Sequence, residues 1–450
     1  MQTGTPQRVL TLFDCVAIVV GIVIGASIFR LPSIVAGQVG DVDLILFVWV
    51  LGGVVSFIGA LCYAELTTAY PSTGGEYHFL KRAFGPRVGF MFSWARMTVI
   101  QTGSIAFLAY VFGDYAGQIL PLGERGSAIY AVLAVAGFTG LNIAGIHQTR
   151  AAQKMLATIT VVGLVFVVAL AISHVVQHGA APSPASQIEF SSAVLGSSMI
   201  FVLLTYGGWN EAAYVSAETS GGPRIMVWSL VLGIGVITAI YVGVNFAYLS
   251  VLGVSAVAAS DAVAVDLLNA LIGPAGGTAI ALLVLVLVMA SLNVTIITGA
   301  RTNYALGRDF PAFGFLNHWS VKGGAPVRAL LFQGGVSLAL VLLATLNRSG
   351  VQAVVDYLAP VFWFFFLLTG IALFVLRKKE PDTPRPFKVP LYPLVPALFC
   401  LTCAYLLYSS LAYTGWGALA GTVVLAAGLP ILYFTRAVPA SSEVPADAAG

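Results

Sequence analysis

Gly21-Ile22-Val23-Ile24-Gly25-Ala26-Ser27-Ile28-Phe29-Arg30-Leu31-Pro32 lies inside the first long apolar run of the chain. The run covers about 11–36, more than the ~20 apolar residues a helix needs to cross the hydrocarbon core. Its Gly-rich middle marks an interruption. Backbone groups freed inside a bilayer persist only where a ligand, water or another segment satisfies them. Freed N–H groups at a half-helix start suit an anion, helped by the helix dipole. Freed carbonyls suit an ammonium, and one zwitterionic α-amino acid head group meets both needs. Gly21 and Gly25 also have the four-residue spacing of close helix packing, so this stretch alone leaves both readings open.

A second interruption supplies the context. Tyr206-Gly207-Gly208-Trp209-Asn210-Glu211 falls inside the sixth apolar run. Twelve runs can be counted, at about 11–36, 44–66, 88–120, 127–146, 155–173, 193–216, 226–252, 278–304, 327–346, 351–376, 391–412 and 415–435. They are long and apolar on every face, without the period-two alternation of a membrane strand. The expected fold is therefore all-α and polytopic, with 12 transmembrane helices. Spans 1 and 6 are five apart, the relation between matching broken helices of two inverted repeats. That predicts a five-plus-five inverted repeat, 11–173 and 193–376, with two extra C-terminal helices in 391–435. Residues 1–436 form one membrane domain, and 437–450, small and Pro-containing, read as a disordered cytoplasmic tail.

Composition agrees. Hydrophobic residues make up 59% of the 450 and charged residues 9%, with mean hydropathy +0.95; soluble domains carry about 25% charged residues. Part of the solvent is lipid. A net charge of +3, with no basic stretch interleaved with aromatics, gives no nucleic-acid signal. The polar Met1–Arg8 leads into a span that holds Asp14 and is followed by many others, so it reads as a first membrane helix and not as a cleaved leader. Cys400-x-x-Cys403 has no second pair or nearby His and reads, like Cys15 and Cys62, as packing. His174 and His178 form an i,i+4 pair without a third ligand. No metal or cofactor is expected. The five His residues are scattered, which argues against an enzyme, and no G-x-x-x-x-G-K-[ST] loop is present for ATP. No ring of acids or filter-like loop suggests a channel.

Basic residues set the expected orientation, because short loops rich in Lys and Arg stay in the cytoplasm. Lys81, Arg82 and Arg87, then Arg150 and Lys154, Arg224, Arg301, Arg308, Lys322 and Arg328, and finally Arg377, Lys378, Lys379, Arg385 and Lys388 fall on one side, with Arg8 and Arg436 at the two ends. Only Arg125 and Arg348 fall on the other, and Arg30 and Arg96 lie within spans. Both termini are expected in the cytoplasm of a cell (inner) membrane protein.

Five stretches in order carry a family resemblance over nearly the whole chain. They are Gly25-Ala26-Ser27-Ile28-Phe29; Cys62-Tyr63-Ala64-Glu65-Leu66 with Pro71-Ser72-Thr73-Gly74-Gly75-Glu76-Tyr77; Tyr206-Gly207-Gly208-Trp209; Arg301 to Asp309 around Tyr304-Ala305; and Arg385-Pro386-Phe387-Lys388-Val389-Pro390. The chain resembles the amino acid–polyamine–organocation (APC) superfamily, within it the bacterial amino acid permeases close to the L-type amino acid transporters. The resemblance implies the five-plus-five fold. It also implies a substrate carboxylate on backbone N–H groups near Gly25, Ala26, Ser27 and Ile28. The amino group would lie on carbonyls near Ile22 and from Leu204 to Tyr206, at the break formed by Gly207 and Gly208, with Trp209 as an aromatic gate. The sequence departs from the family in two places. Ser27 stands where the family has the second Gly of its break, which adds a side chain and a hydroxyl. Thr160 stands where many members carry a span 5 Lys linked to proton coupling, which puts a lysine-based mechanism in doubt.

Ionisable groups within spans are costly and are functional candidates. Glu211, just past the second break, is a candidate proton acceptor or a brace for the broken helix. Asp14, Glu65 and Glu218 lie near cytoplasmic helix ends, where pairing with loop arginines is expected. Arg30 is expected to face an outer vestibule or to pair with Asp114 or Asp356. In span 8, Ser291, Asn293, Thr295 and Thr298 offer oxygen ligands for sodium or, equally, helix–helix hydrogen bonds. Glu211, Thr160 and Asn293 are thus the coupling candidates, with a proton or sodium as co-substrate. The expected function is secondary transport of amino acids, most of all neutral L-amino acids, by symport or exchange. A polyamine or cationic amino acid carrier, or a sensor that binds without translocating, are the alternatives.

Overall fold

The computed structural model describes residues 12–434 apart from 73, 146–149, 183–187, 212–222, 321–324, 347–349 and 414. The first apolar run divides as its glycines suggest. α1 (Leu12–Val23) stops before an extended Gly25, a 3-10 turn covers Ala26–Phe29, and α2 (Leu31–Val39) restarts with Pro32 in its first turn, where a missing N–H costs nothing. Gly40 closes α2 at φ 74. The Asp41 carboxylate then accepts from the Leu44 amide (3.0 Å) and caps α3 (Val42–Ala69). α4 (Gly75–Phe84) and α5 (Pro86–Ala95) meet at Gly85, whose φ of 93 suits a residue without Cβ. A π turn, Arg96–Ile100, joins α5 to α6 (Gln101–Ile119). α7 (Gly126–Ile143) and α8 (Arg150–His178) precede the second interrupted segment, α9 (Ser192–Tyr206), which is followed by a 3-10 turn at Trp209–Glu211.

Beyond the break come α10 (Pro223–Leu252), two short helices, α11 (Val254–Ala259) and α12 (Val263–Ile272), and α13 (Pro274–Asp309). α14 (Val327–Ala344), α15 (Gly350–Lys379), α16 (Leu394–Tyr413), α17 (Gly415–Ala426) and α18 (Gly428–Phe434) complete the chain. Among the described residues, ten helical stretches are long and apolar enough to cross a membrane. The interrupted α1–α2 and α9 segments are not among those ten, because each stops short. The protein is thus a polytopic helical bundle.

Burial separates centre from rim. In the most apolar window of Pro86–Ile119, 72% of residues are buried, against 22% in that of Thr158–His178. The first runs through the middle of the bundle; the second offers Val162, Phe166 and Val176 to the surroundings, the composition of a lipid-facing helix. α1 packs along α10, α3 against α9 and α10, α6 between α7 and α13, and α15 against α6, α16 and α17. α3 approaches closely because it carries glycines. A Cβ on Gly52 would stand 3.0 Å from the Tyr206 ring, and one on Gly59 would stand 2.8 Å from Trp209. Small residues are how membrane helices gain contact without a hydrophobic drive, and here they seat the two aromatics that flank the second break.

The helix boundaries differ from the sequence reading at three places. Lys81 and Arg82 lie on α4 and not in a loop; Phe79, Leu80 and Ala83 are buried on its other face. Arg301 and Arg308 ride on the last turns of α13, which runs past the expected end at 304. The connection before α13 contains α11 and α12. In each case charge or small residues marked exposure, which an amphipathic helix at a bundle end shares with coil. The 437–450 tail lies outside the described residues.

Candidate binding site at two helix breaks

At the first break, the Gly25 amide turns back to the Val23 carbonyl (2.8 Å) instead of reaching Gly21 as a continuous helix would. Ala26 and Ser27 open the following 3-10 turn, so their N–H groups have no carbonyl within it to bond, while the Ile28 amide lies inside the turn. Gly25 has φ −114, which any residue can adopt, so backbone strain does not explain the glycine. Among the described residues, a Cβ there would meet nothing nearer than the Val23 carbonyl oxygen, 3.9 Å away, so the glycine leaves space beside the Ala26 and Ser27 amides. The Ala26 and Ile28 side chains are buried and that of Ser27 is half-buried.

At the second break the Gly207 amide bonds to the Leu204 carbonyl (3.1 Å). Gly208 takes φ 112, a region that residues with a side chain rarely enter. Its amide donates to Asn210 Oδ1 at 3.3 Å. Tyr206 lies against Trp49 and Tyr241, with ring centroids 6.2 and 5.0 Å away, and its hydroxyl donates to the Trp49 carbonyl (2.9 Å). Trp209 is buried edge-on to Tyr63 (5.0 Å) and Phe366 (5.8 Å).

One hydroxyl joins the two breaks. Tyr241 on α10 lies 2.8 Å from the Val23 carbonyl oxygen and 3.1 Å from that of Thr205. It thus meets carbonyls at the C-terminal ends of both α1 and α9. Tyr241→Phe keeps the ring and removes this link. The initial uptake rate in proteoliposomes is expected to fall about tenfold at unchanged expression, the scale of one lost buried hydrogen bond. An unchanged rate would show the link to be idle.

Charge pairs bracket the breaks at opposite ends of the bundle. Just past the first break, Arg30 Nε meets Asp114 Oδ2 at 2.9 Å and Nη2 meets Asp261 Oδ1 at 2.6 Å, while Nη1 donates to the Ser260 carbonyl (3.3 Å). Ser127 donates to the other Asp114 oxygen (2.5 Å), and the Tyr115 hydroxyl donates to the Phe29 carbonyl (2.8 Å). At the far end of α3, Glu65 accepts from Arg377 Nε (2.6 Å) and Nη2 (2.5 Å) and from the Val389 amide (2.7 Å), with Arg385 Nε 3.6 Å away. Of the sequence expectations, the Arg30–Asp114 and Glu65–arginine pairs form. Arg30 does not reach Asp356.

The coupling candidates are spread out. Thr160 is buried on α8 and its hydroxyl returns to the Leu156 carbonyl of its own helix (2.8 Å). Asn293 on α13 accepts through Oδ1 from Asn142 Nδ2 of α7 (2.6 Å). Glu211 closes the 3-10 turn after the second break, while its side chain, that of Asp14 and the whole of Glu218 lie outside the described residues. His174 and His178 stack at 4.6 Å on the end of α8, and among the described residues no group of three His, Cys, Asp or Glu side chains is placed to hold a metal ion. Three residues described here were not singled out in the sequence: Tyr241, Asn210 and Asp261. Only Asn210, beside the second glycine pair, stood near a recognisable signal.

Comparison with known proteins places the chain in a family. A family model described as amino acid permease matches residues 10–433. The b(0,+)-type amino acid transporter 1 of Rattus norvegicus is 30% identical over 440 residues, covering 96% of this chain and 88% of the relative. The serine/threonine exchanger SteT of Bacillus subtilis (strain 168) is 26% identical, covering 96% and 97%. The large neutral amino acids transporter small subunit 2 of Mus musculus is 28% identical, covering 95% and 81%. The chain belongs to the amino acid permease family, within the APC superfamily. It is a multi-pass membrane transporter of amino acids, and its family and relatives are carriers, not enzymes.

Proposed function

We propose that this protein carries neutral L-amino acids across the cytoplasmic membrane by alternating access, as a proton symporter or an exchanger. The observation that carries the reading is the pairing of two breaks: open amides at Ala26 and Ser27, with carbonyl ends of α1 and α9 held together by Tyr241. Amides take the carboxylate and carbonyls the ammonium. Ile22 and Leu204 to Tyr206 supply the carbonyl side, Gly207 and Gly208 the turn, and Trp209 the aromatic cover.

The preference for neutral side chains rests on the apolar seam between α9 and α15 beside the second break, where Ile200, Leu204, Val355, Leu358, Phe362 and Trp363 meet without a charged group. The topology proposed is twelve spans in a five-plus-five inverted repeat plus two, with both termini in the cytoplasm. Basic residues clustered at the Arg377–Lys379 end support that orientation. Exchange draws support from the relative named as a serine/threonine exchanger. Glu211 is the position proposed for a proton; Thr160 and Asn293 are those proposed for an alternative proton or sodium link.

Counterflow in proteoliposomes with the twenty amino acids and putrescine, at two external pH values, tests the proposal. Accumulation of a few neutral amino acids is expected. Selective counterflow of arginine or putrescine would favour a cationic carrier, and binding without any counterflow would favour a sensor.

A further inference from the structure

Glu76 is not used by the binding geometry above, yet it is buried, 5% exposed, on the first turn of α4. Its Oε1 accepts from the Tyr63 hydroxyl of α3 and lies 3.4 Å from Asn210 Nδ2, beside the second break. Asn210 Oδ1 in turn accepts from the Gly208 amide. A line of hydrogen bonds therefore runs from the turn that breaks the helix, through Asn210, to a carboxylate on a short helix outside the site. The Tyr63 ring is the same one that supports Trp209.

α4 is itself fastened to the end of α15. Arg82 Nε meets Glu380 Oε1 at 2.9 Å, Lys379 Nζ donates to the Ala83 carbonyl (2.8 Å), and the Arg82 guanidinium covers the Tyr70 ring at 4.8 Å. The Arg82 hydrogen bond holds the Glu380 carboxyl below its usual range, so this outer fastening is a charged one at neutral pH. Glu76 thus lies where the second break is tied, through α4, to the Arg377–Lys379 end of the bundle.

We infer that Glu76 is a positioning residue: its carboxylate latches α4 to the Asn210 turn and holds the protein closed at the Arg377–Lys379 end. The inference rests on the transport reading above, with that end cytoplasmic. It has a directional consequence. Releasing the latch favours the cytoplasm-open state, and a ligand's apparent affinity falls with the fraction of protein competent to bind it. Substrate arriving from outside then meets fewer competent sites, while substrate from inside meets at least as many. A lesion that merely damages packing has no such sidedness.

The test is apparent KM measured separately from each face, in proteoliposomes of known protein orientation, for the parent, Glu76→Ala, Glu76→Gln and Tyr63→Phe. Glu76→Ala is expected to raise the external KM about tenfold, the scale of a lost hydrogen bond to a charged group, without raising the internal KM. Glu76→Gln keeps an acceptor oxygen for both donors and is expected to show a smaller shift of the same sign. Tyr63→Phe removes one donor and keeps the ring under Trp209, so it carries the test should Glu76→Ala fail to insert. External and internal KM that stay unchanged, or rise together, would overturn the latch. A parent protein without counterflow would overturn the transport reading and the latch together, whereas a transporting parent with unmoved variants overturns the latch alone.

Discussion

Gly208→Val is expected to abolish uptake while the protein still inserts in the membrane. At φ 112 a β-branched side chain meets its own backbone, and a residue forced into such a region costs of order 1–3 kcal/mol. The bundle is not undone by a cost of that size, since folded proteins hold about 5–15 kcal/mol in reserve. The turn at Gly207–Gly208 relaxes instead, and with it the α9 carbonyls and the Asn210 contact. Gly25→Val should give the same functional outcome by another route. Its φ of −114 accepts a side chain, so no strain arises. The added atoms fill the open space beside the Ala26 and Ser27 amides, where the carboxylate is proposed to lie. Uptake in proteoliposomes, read beside melting temperature, separates the two: both lose uptake, and only Gly208→Val loses appreciable stability. Survival of uptake in both would move the site away from the breaks.

Arg30→Met is expected to be among the most damaging single substitutions for stability. The Arg30 and Asp114 side chains are 8% and 10% exposed, so methionine leaves the Asp114 carboxylate buried without its counter-charge. Breaking a buried pair in this way costs about 3–5 kcal/mol. Asp261, 69% exposed on its side chain, contributes little, and Asp261→Asn should cost at most ~1 kcal/mol. The diagnostic variant is the double one. Arg30→Met with Asp114→Asn removes both charges and should recover most of the lost melting temperature in detergent. No recovery would show that Arg30 acts through its hydrogen bond to the Ser260 carbonyl and not through Asp114.

The main lines of the fold were legible because lipid imposes a simple grammar. Apolar runs near twenty residues had to be helices, and glycine-rich gaps such as 21–25 and 207–208 had to be breaks or close contacts. Among the described residues nothing packs closely on Gly25, which speaks against its second reading, packing, and no sequence displays that space. The links between distant helices were far less legible. Tyr241 sits in an apolar span like many tyrosines, and nothing local marks the one whose hydroxyl meets two helix ends. Asp114 was readable as an Arg30 partner because both lie at the same depth, but Asp261 comes from a connection whose path one sequence does not give. α4 was read as a loop because its charges were visible and its buried face, Phe79, Leu80 and Ala83 beside Gly75 and Glu76, was short. Asn293 shows the same limit: the choice between an ion ligand and a helix–helix bond depended on Asn142, 151 positions away.

The central claim is that the two breaks together hold an α-amino acid head group. Competition in the counterflow assay tests it most directly, using the preferred L-amino acid, its α-amide and its N-acetyl derivative. The account predicts that only the free zwitterion competes well. The amide lacks the carboxylate for the Ala26–Ser27 amides, and the N-acetyl form lacks the ammonium for the α1 and α9 carbonyls. Equal competition by either derivative would contradict the assignment of the corresponding break.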